Sequence, residues 1–210
     1  KLPATILSVE KQKGSGKGVR TLSAEEVKAY NLPTGTIAQM SADGKINIVS
    51  KPSAEQIKQW LDSVKDPEIP VLSLNDLGVI TGIDIGNDGK VTVNMTPTFA
   101  GCPAMDVMQQ DVEQVLQENG IANYEVRVSF DTQWNSNMIS EKGRKALAEF
   151  GLAPPPKHNL IVDIDIIEHA KCPNCGSDNT EMKTPFGPTL CRSIHYCHNC
   201  LNAFEQFKPL

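Results

Sequence analysis

Two Cys-x-x-Cys pairs near the C-terminal end constrain this chain more than any other feature of its sequence. They are Cys172-Pro-Asn-Cys175 and Cys197-His-Asn-Cys200, and the 21 residues between them include the turn-forming segment Phe186-Gly187-Pro188. Four thiolates presented in this way suit a tetrahedral zinc ion at about 2.3 Å with no open coordination position. The sequence therefore predicts a structural zinc ribbon over residues 171–210, with an iron–sulfur centre or a redox pair as alternatives.

Three further residues beside these pairs offer sulfur or nitrogen ligands: Cys191, His195 and His198. Because four thiolates already fill a zinc site, we expect these three to be ordinary residues near the metal. The sequence leaves open whether any of them takes part in binding.

The remaining cysteine, Cys102, lies between a predicted strand that ends at Met95 and a predicted helix that begins at Pro103. Proline is favoured at the first helical position because its missing N–H would have no partner there. A sulfur near the helix N-terminus would meet unpaired N–H groups and the positive end of the macrodipole, which lower a thiol pKa. We therefore expect a thiolate or a metal-bound sulfur at Cys102, the alternative being a buried cysteine that only packs.

Carboxylates and a hydroxyl accompany this cysteine in the predicted loops. Asp66-Pro67-Glu68-Ile69-Pro70 is a rigid, non-helical loop because of its two prolines, and Asp76 follows it just before an apolar stretch. Asp66 and Glu68 would serve equally well as helix-end and turn caps. Thr98 lies in the loop before Cys102. A threonine hydroxyl in such a loop more often forms a hydrogen bond with the backbone than takes part in a metal site.

Hydrophobic periodicity predicts an α+β fold for residues 51–152, a small two-layer α/β sandwich with one sheet. Ser53 with Gln56 forms a capping box, and the Met-containing stripe after Pro103 is predicted to fill the core. The predicted order is a helix from Ser53, strands 77–85 and 91–95, a helix that stops at Asn119, strand 124–130 and a helix from Ser140 to Phe150.

The chain is predicted to divide into four parts. Residues 1–50 form an appended segment of unknown role, with a capping box at Ser23-Ala-Glu-Glu26 and a β-hairpin over 36–49. Residues 51–152 are the α/β domain, 153–170 a proline-rich linker and connecting strand, and 171–210 the ribbon. The glycine-rich run 13–18 lacks the spacing of a phosphate loop and is predicted to be a flexible turn.

Charge and hydropathy exclude several classes of protein. Residues 51–170 carry 9 Lys/Arg and 18 Asp/Glu within a chain of net charge −5, so a nucleic-acid-binding surface is not expected. No apolar run approaches the roughly 18 residues that a membrane span needs. With no signal-peptide pattern after Lys1, the expected location is the cytoplasm.

Three of these segments together resemble the iron–sulfur cluster assembly domain family, to which SufT and the eukaryotic cytosolic Fe–S targeting factor belong. They are residues 66–70, 75–79 and Thr96-Pro97-Thr98 with Gly101-Cys102-Pro103. The C-terminal segments 172–177, 186–191 and 196–208 resemble the tail of the phenylacetate-degradation protein D family. The resemblance covers about residues 53–210.

The resemblance implies an accessory protein, not an enzyme, that assembles or inserts Fe–S centres of the multicomponent phenylacetyl-CoA oxygenase (epoxidase). Zinc in the ribbon and a transient iron ion or cluster would be its metals, with Cys102, Glu68, Asp76 and Thr98 as iron-site candidates. One cysteine cannot hold a cluster that takes four, so an open or shared site is expected.

The expected partners are oxygenase or reductase subunits of the same system, and the sequence leaves a homodimer open. The ribbon is the predicted docking surface for these subunits, with Phe186, Phe204 and Phe207 as its anchors. Three aromatic residues are too many for the core of so small a module, and exposed aromatic residues favour partner binding.

Two alternatives remain. A thiol enzyme with Cys102 as nucleophile needs a nearby base, and residues 51–150 contain no histidine. A zinc ribbon that binds nucleic acid is disfavoured by the acidic middle of the chain.

Overall fold

The computed structural model of the chain describes residues 20–87, 89–158 and 168–209. Its strands are β1 (Arg20–Thr21), β2 (Ile37–Met40), β3 (Ile46–Ser50), β4 (Ile80–Ile85), β5 (Val91–Met95), β6 (Tyr124–Val128), β7 (Leu152–Ala153), β8 (Thr180–Thr184), β9 (Arg192–Cys197) and β10 (Ala203–Phe207). Its helices are α1 (Ala24–Ala29), α2 (Ala54–Leu61), α3 (Leu74–Leu77), α4 (Met105–Glu118) and α5 (Glu141–Glu149), with a 3₁₀ turn at Ser136–Met138. None of the helices in these ranges is long and apolar enough to cross a bilayer.

The central layer confirms the predicted α+β sandwich. The sheet has the order β4-β5-β6, in which β4 and β5 form an antiparallel hairpin and β6 runs parallel to β5 after the α4 crossover. Side chains at alternate positions of β5 and the apolar stripe of α4 meet in the largest core. That core includes Ile57, Leu61, Val91, Val93, Met95, Met105, Met108, Val112 and Leu116.

Two local predictions in this layer are wrong. Leu77 belongs to the short helix α3 and not to a strand, because the Ser73 hydroxyl caps the Asp76 N–H and Gly78 closes the turn at φ 78°. The predicted strand 124–130 stops at Val128, and Phe130 lies beyond the sheet with 66% of its surface exposed. Here the alternating pattern continues after the last residue that the sheet pairs.

The N-terminal elements form a separate three-stranded sheet with the order β1-β2-β3. The predicted capping box is confirmed, since Ser23 accepts from the Glu26 N–H and the Glu26 side chain accepts from the Ser23 N–H. The predicted hairpin is formed by β2 and β3. The glycine-rich run at 13–18 lies outside the described residues.

The ribbon sheet has the order β7-β10-β9-β8 and contains a strand from outside the predicted ribbon. The expected hairpin joins β8 to β9 through the Phe186-Gly187-Pro188 turn. The added strand is β7, which follows α5 directly and pairs in parallel with β10. The predicted linker thus begins inside a strand at Ala153, and residues 159–167 of it lie outside the described ranges. The four-part division of the chain stays a prediction.

The ribbon is fastened to the α/β layer by side chains as well as by β7. Phe207 is 1% exposed and belongs to the large core, where its ring lies 5.9 Å from that of Trp134. Phe204 is 6% exposed and stacks on His195. The prediction that these two phenylalanines are partner anchors is therefore wrong: the α/β layer and the ribbon interior bury them. Phe186, 68% exposed, is the one of the three at the surface.

Asp76 joins two helix starts. Its carboxylate accepts hydrogen bonds from Ser73 Oγ at 2.8 Å and from Ser140 Oγ at 2.7 Å, and these hydroxyls are the N-caps of α3 and α5. Lys142 Nζ lies 2.9 Å from the same carboxylate. Burial opposes ionisation, but the hydrogen bonds with Lys142, Ser140 and Ser73 together lower the pKa of Asp76. The side chain therefore has a structural role in the fold.

We expect Asp76→Ala to lower the free energy of unfolding by about 1–3 kcal/mol, because two capping hydroxyls lose their acceptor. The folded-state pKa is below the usual value of 3.8, so this stabilisation is present above pH 4 and is lost as the pH falls through the folded pKa. Urea denaturation at pH 7 and near pH 3 measures it. The exposed Asp131→Ala is the control, and an Asp76→Ala deficit that stayed constant down to pH 3 would contradict the assignment.

Candidate functional site

The four cysteines of the two pairs converge at one end of the ribbon. Their sulfur atoms all lie within 4.8 Å of one another. Cys172 Sγ is 3.7 Å from Cys200 Sγ, and Cys175 Sγ is 3.6 Å from Cys197 Sγ. A tetrahedral zinc ion with four sulfurs at about 2.3 Å has sulfur–sulfur edges of about 3.8 Å. The donor set and its spacing therefore fit zinc.

Without a bound metal ion, the thiol pKa values of Cys172 and Cys175 are shifted in opposite directions. Burial raises the pKa of Cys172 to about 11, whereas a hydrogen bond with the Asn199 side chain lowers the pKa of Cys175 to about 6. Metal binding requires all four as thiolates, so loading the site releases protons. Asn199 Nδ2 lies 3.6 Å from Cys175 Sγ and supports that sulfur from outside the metal shell.

The three spare residues do not join this cluster in the described part of the chain. His195 is fully buried against Phe204, with its Nε2 3.0 Å from Ser193 Oγ. His198 Nε2 lies 3.3 Å from a carboxylate oxygen of Glu181. Cys191 precedes the opposite end of β9, about 20 Å along the strand from Cys197 at about 3.3 Å per residue.

A second candidate site is a cavity of about 300 Å³ between the α/β layer and the ribbon. Three loops enclose it: the proline-rich loop with Glu68, the loop from Thr98 to Ala104, and the ribbon loop from Gly187 to Cys191. The cavity brings together three of the four predicted iron-site residues, Cys102, Glu68 and Thr98. Asp76 does not line it, because its carboxylate faces the serine caps of α3 and α5.

Cys102 differs from the prediction in position and in its electrostatics. Helix α4 begins at Met105 with Ala104 as N-cap, so the sulfur lies ahead of the first helical turn. Partial burial raises the pKa of the Cys102 thiol, and a hydrogen bond from the Ala104 N–H only partly offsets it. Nearby Asp66 also raises it. The expectation of a lowered thiol pKa from the helix dipole is therefore wrong.

The two carboxylates of the proline-rich loop have different roles. Asp66 Oδ1 accepts hydrogen bonds of 2.8 Å from both the Glu68 and the Ile69 N–H, which confirms the capping interpretation for Asp66. Burial raises the pKa of Asp66. The Glu68 side chain is exposed at the cavity wall, while its carbonyl accepts a 2.7 Å hydrogen bond from Arg192 Nη2. Asp66 shapes the loop, and Glu68 offers an exposed carboxylate.

Sequence reasoning did not connect Cys191 with Cys102, yet both thiols line this cavity. The two are about 90 residues apart in the chain, Cys102 in the loop between β5 and α4 and Cys191 in the loop before β9. Burial raises the pKa of Cys191, and Thr189 Oγ1 lies 3.1 Å from its sulfur. The available clue was arithmetic: the ribbon has five cysteines, and a zinc ion takes four.

Two family models match the chain. The model described as "Iron-sulfur cluster assembly protein" matches residues 54–129, which include the Glu68 loop and Cys102. The model described as "PaaD zinc beta ribbon domain" matches residues 164–208, which include the four clustered cysteines and Cys191. The cavity is therefore lined on one side by residues that the first model matches and on the other side by residues that the second model matches.

Three relatives agree with these matches. A protein of Escherichia coli (strain K12) described as a subunit of a "Putative 1,2-phenylacetyl-CoA epoxidase" is 29% identical over 78% of this chain and 98% of its own. A Porphyromonas gingivalis "Fe-S protein maturation auxiliary factor" is 41% identical over 46% of this chain and 90% of its own. The Staphylococcus aureus "Fe-S protein maturation auxiliary factor SufT" is 33% identical over 40% and 96% respectively. The chain therefore belongs to the iron–sulfur cluster assembly protein family, and it carries the PaaD-type zinc β-ribbon as its C-terminal part.

Proposed function

We propose that the protein is an accessory factor that receives iron or an iron–sulfur cluster at Cys102 and passes it to an oxygenase system of the phenylacetyl-CoA epoxidase type. The observation that carries this proposal is the cavity that Cys102, Glu68 and Thr98 line together. A thiol and a carboxylate are donors that iron accepts, and too few of them are present to hold a complete cluster permanently. Such a site suits cargo that must leave again.

The proposal has two parts, metal handling and the identity of the client, and the relatives support these two parts unequally. A relative whose match covers 78% of this chain is described as an epoxidase subunit, and the maturation factors match 46% and 40% of it. The iron–sulfur cluster assembly model matches the α/β layer, whereas the PaaD model matches the ribbon. We assign metal handling to the shared part of the chain and the choice of client to the ribbon.

A carrier fits the environment of Cys102 better than a thiol nucleophile does. A nucleophilic cysteine needs a lowered pKa or a base within reach, whereas burial raises the pKa of Cys102. No histidine lines the described cavity. A half-buried thiol with a raised pKa exchanges its proton for a metal ion without being a strong nucleophile in the free protein.

We assign a structural zinc to Cys172, Cys175, Cys197 and Cys200. The buried core next to these ligands is small and consists of Ala153, Ala170, Cys172, Cys197 and Phe204. Little apolar area is available to stabilise the ribbon alone, so metal binding supplies much of its folding free energy. The zinc site lies at the Cys197 end of β9, and the cavity lies beside the Arg192 end. By stabilising the ribbon, zinc stabilises the cavity wall that the ribbon provides.

The client-docking surface is assigned to the exposed end of the ribbon beside the cavity. Phe186 and Leu190 are 68% and 60% exposed, and the loop to which they belong forms one cavity wall. Exposed apolar side chains in this position would bind a partner next to the metal. The distance that the cargo must travel would then be short.

The first test of the proposal concerns zinc. We expect one zinc per chain, and we expect Cys197→Ser to lose the metal, the order of β8–β10 and the burial of Phe207. Elemental analysis and near-ultraviolet circular dichroism report these changes. Cys191→Ser is the matched control, since its sulfur lies outside the cluster and it should keep one zinc. A folded ribbon in metal-free Cys197→Ser would refute the assignment.

The second test concerns docking. Phe186→Ser combined with Leu190→Ser should weaken capture of the oxygenase or reductase subunits at least tenfold, with iron binding unchanged, because about 1.4 kcal/mol of apolar contact corresponds to that factor. Surface plasmon resonance with each purified subunit measures it. Leu201→Ser, at an equally exposed leucine beside Cys200, is the control. Equal loss in the control would point to general stickiness of the ribbon.

The third test concerns Cys102. Cys102→Ser should fold with its zinc in place but leave the oxygenase client under-loaded with iron and sulfide, because the hydroxyl is a poor ligand for iron. Iron and acid-labile sulfide are measured in client matured with each variant. Ala100→Ser, in the same loop and exposed, is the control. Equal client loading by wild type and Cys102→Ser would reduce this cysteine to a packing residue.

A further inference from the structure

Of the five ribbon cysteines, Cys191 is the one outside the cluster of four assigned to zinc. The four clustered sulfurs complete a tetrahedral site at the Cys197 end of β9, whereas Cys191 immediately precedes Arg192, the first residue of that strand. It lines the same cavity as Cys102, from the opposite wall. The fold thus brings one thiol from a loop of the α/β layer and one from a loop of the ribbon to the same cavity.

Hydrogen bonds fix the ribbon wall on which Cys191 lies. The Lys208 N–H donates to the Cys191 carbonyl at 2.9 Å, and the Arg192 N–H donates to the Thr189 carbonyl at 3.1 Å. Arg192 also reaches across to the Glu68 carbonyl at 2.7 Å. The buried Arg192 guanidinium therefore links the loop of Cys191 to the loop of Glu68. This link fixes the distance between the two cavity walls to which these loops belong.

Backbone packing holds the turn of this loop as well. A Cβ atom at Gly187 would approach the Cβ of Arg192 to 3.0 Å and its carbonyl carbon and oxygen to 3.1 Å. The Gly187 N–H donates to the Arg192 carbonyl at 2.9 Å. The turn therefore folds closely over the residue that follows Cys191, and the thiol faces the cavity from an ordered segment.

The cavity differs from the zinc site in how its donors are arranged. Among the described residues, only the zinc cysteines bring three or more donor atoms within 4.8 Å of one another. The cavity offers two thiols, the Glu68 carboxylate and space for further ligands in about 300 Å³. A closed site retains its metal, whereas a site with two protein sulfurs leaves coordination positions for exchange.

We infer that Cys191 is the second sulfur ligand of the cargo site, so that iron is bound between Cys102 of the α/β layer and Cys191 of the ribbon. This inference rests on the proposed carrier function and names the residue that completes its site. On binding ferrous iron, the two thiols lose their protons to the solvent and form two Fe–S bonds with no change of oxidation state. Glu68 is positioned to supply an oxygen ligand, and the remaining positions stay open to sulfide or to cysteines of the client.

The test uses the reduced, zinc-loaded full-length chain under anaerobic conditions, with ferrous iron as the probe. Residue-resolved alkylation of the wild-type protein is followed by mass spectrometry as iron is added. We expect iron to protect Cys102 and Cys191 at the same iron concentration. Protection of Cys102 alone, or of neither thiol, would overturn the inference without relying on any variant.

Variants give a second, quantitative measurement. Cys191→Ser and Cys102→Ser should each weaken ferrous iron binding at least about tenfold, since outer-shell changes alone cost 10–100-fold at metal sites. Ala203→Ser is the matched control, because it alters an exposed position of the ribbon outside the cavity, leaves both thiols in place and should change the affinity less than about twofold. Wild-type affinity in a folded, zinc-loaded Cys191→Ser protein would contradict the assignment.

The outcomes separate this inference from the carrier function. If Cys102→Ser fails to load the client while Cys191→Ser binds iron normally, the carrier stands and the second ligand is wrong. If iron protects both thiols but Cys102→Ser still loads the client fully, the two-sulfur site stands and the carrier function is wrong. Equal loss of iron binding and of client loading in both cysteine variants supports both.

Discussion

The burial of Phe207 in the core of the α/β layer is the interaction on which the arrangement of the molecule depends. A fully buried phenylalanine contributes about 2–3 kcal/mol, and this one comes from the last strand of the other sheet. With it come the parallel pairing of β7 and β10 and the Arg192 bridge to Glu68. A ribbon that folded without these contacts would leave Cys102 in an open surface loop.

The proposed zinc site and the proposed cargo site lie at opposite ends of one strand, β9. At the end with Cys197, four sulfurs lie close enough together to surround a zinc ion completely, which would leave no position for exchange. At the end with Arg192, Cys102 and Cys191 line a cavity of about 300 Å³. Under the proposal, zinc would fix the shape of the ribbon, which forms one wall of the cargo site.

Sequence reasoning succeeded where local chemistry determines structure. The Ser23 and Ser140 caps, the buried alternation of β5 and the stripe of α4 follow from side chains a few residues apart. The cysteine spacing likewise predicted the sulfur cluster. These features need no information about distant parts of the chain.

Apart from Leu77, which a nearby cap places in α3, the main errors involve contacts between distant segments. Phe207 is buried because the α/β layer offers it a pocket beside Trp134, which no pattern near residue 207 reveals. The pKa of Cys102 is raised because partial burial of the thiol outweighs the hydrogen bond from the Ala104 N–H, and Asp66, 36 residues earlier, raises it further. Asp76 was an iron-site candidate because it offers a carboxylate in a segment that resembles the assembly family, whereas that carboxylate joins two helix caps.

The pairing of β7 with β10 also sets an order of events during synthesis. Leu152 emerges from the ribosome about 50 residues before its partner Glu205, which corresponds to roughly 3–10 seconds of translation. Until then Phe207 is absent from its pocket and the second wall of the cavity does not exist. The α/β core can therefore form before the cavity between it and the ribbon, which is completed only after β10 has been synthesised.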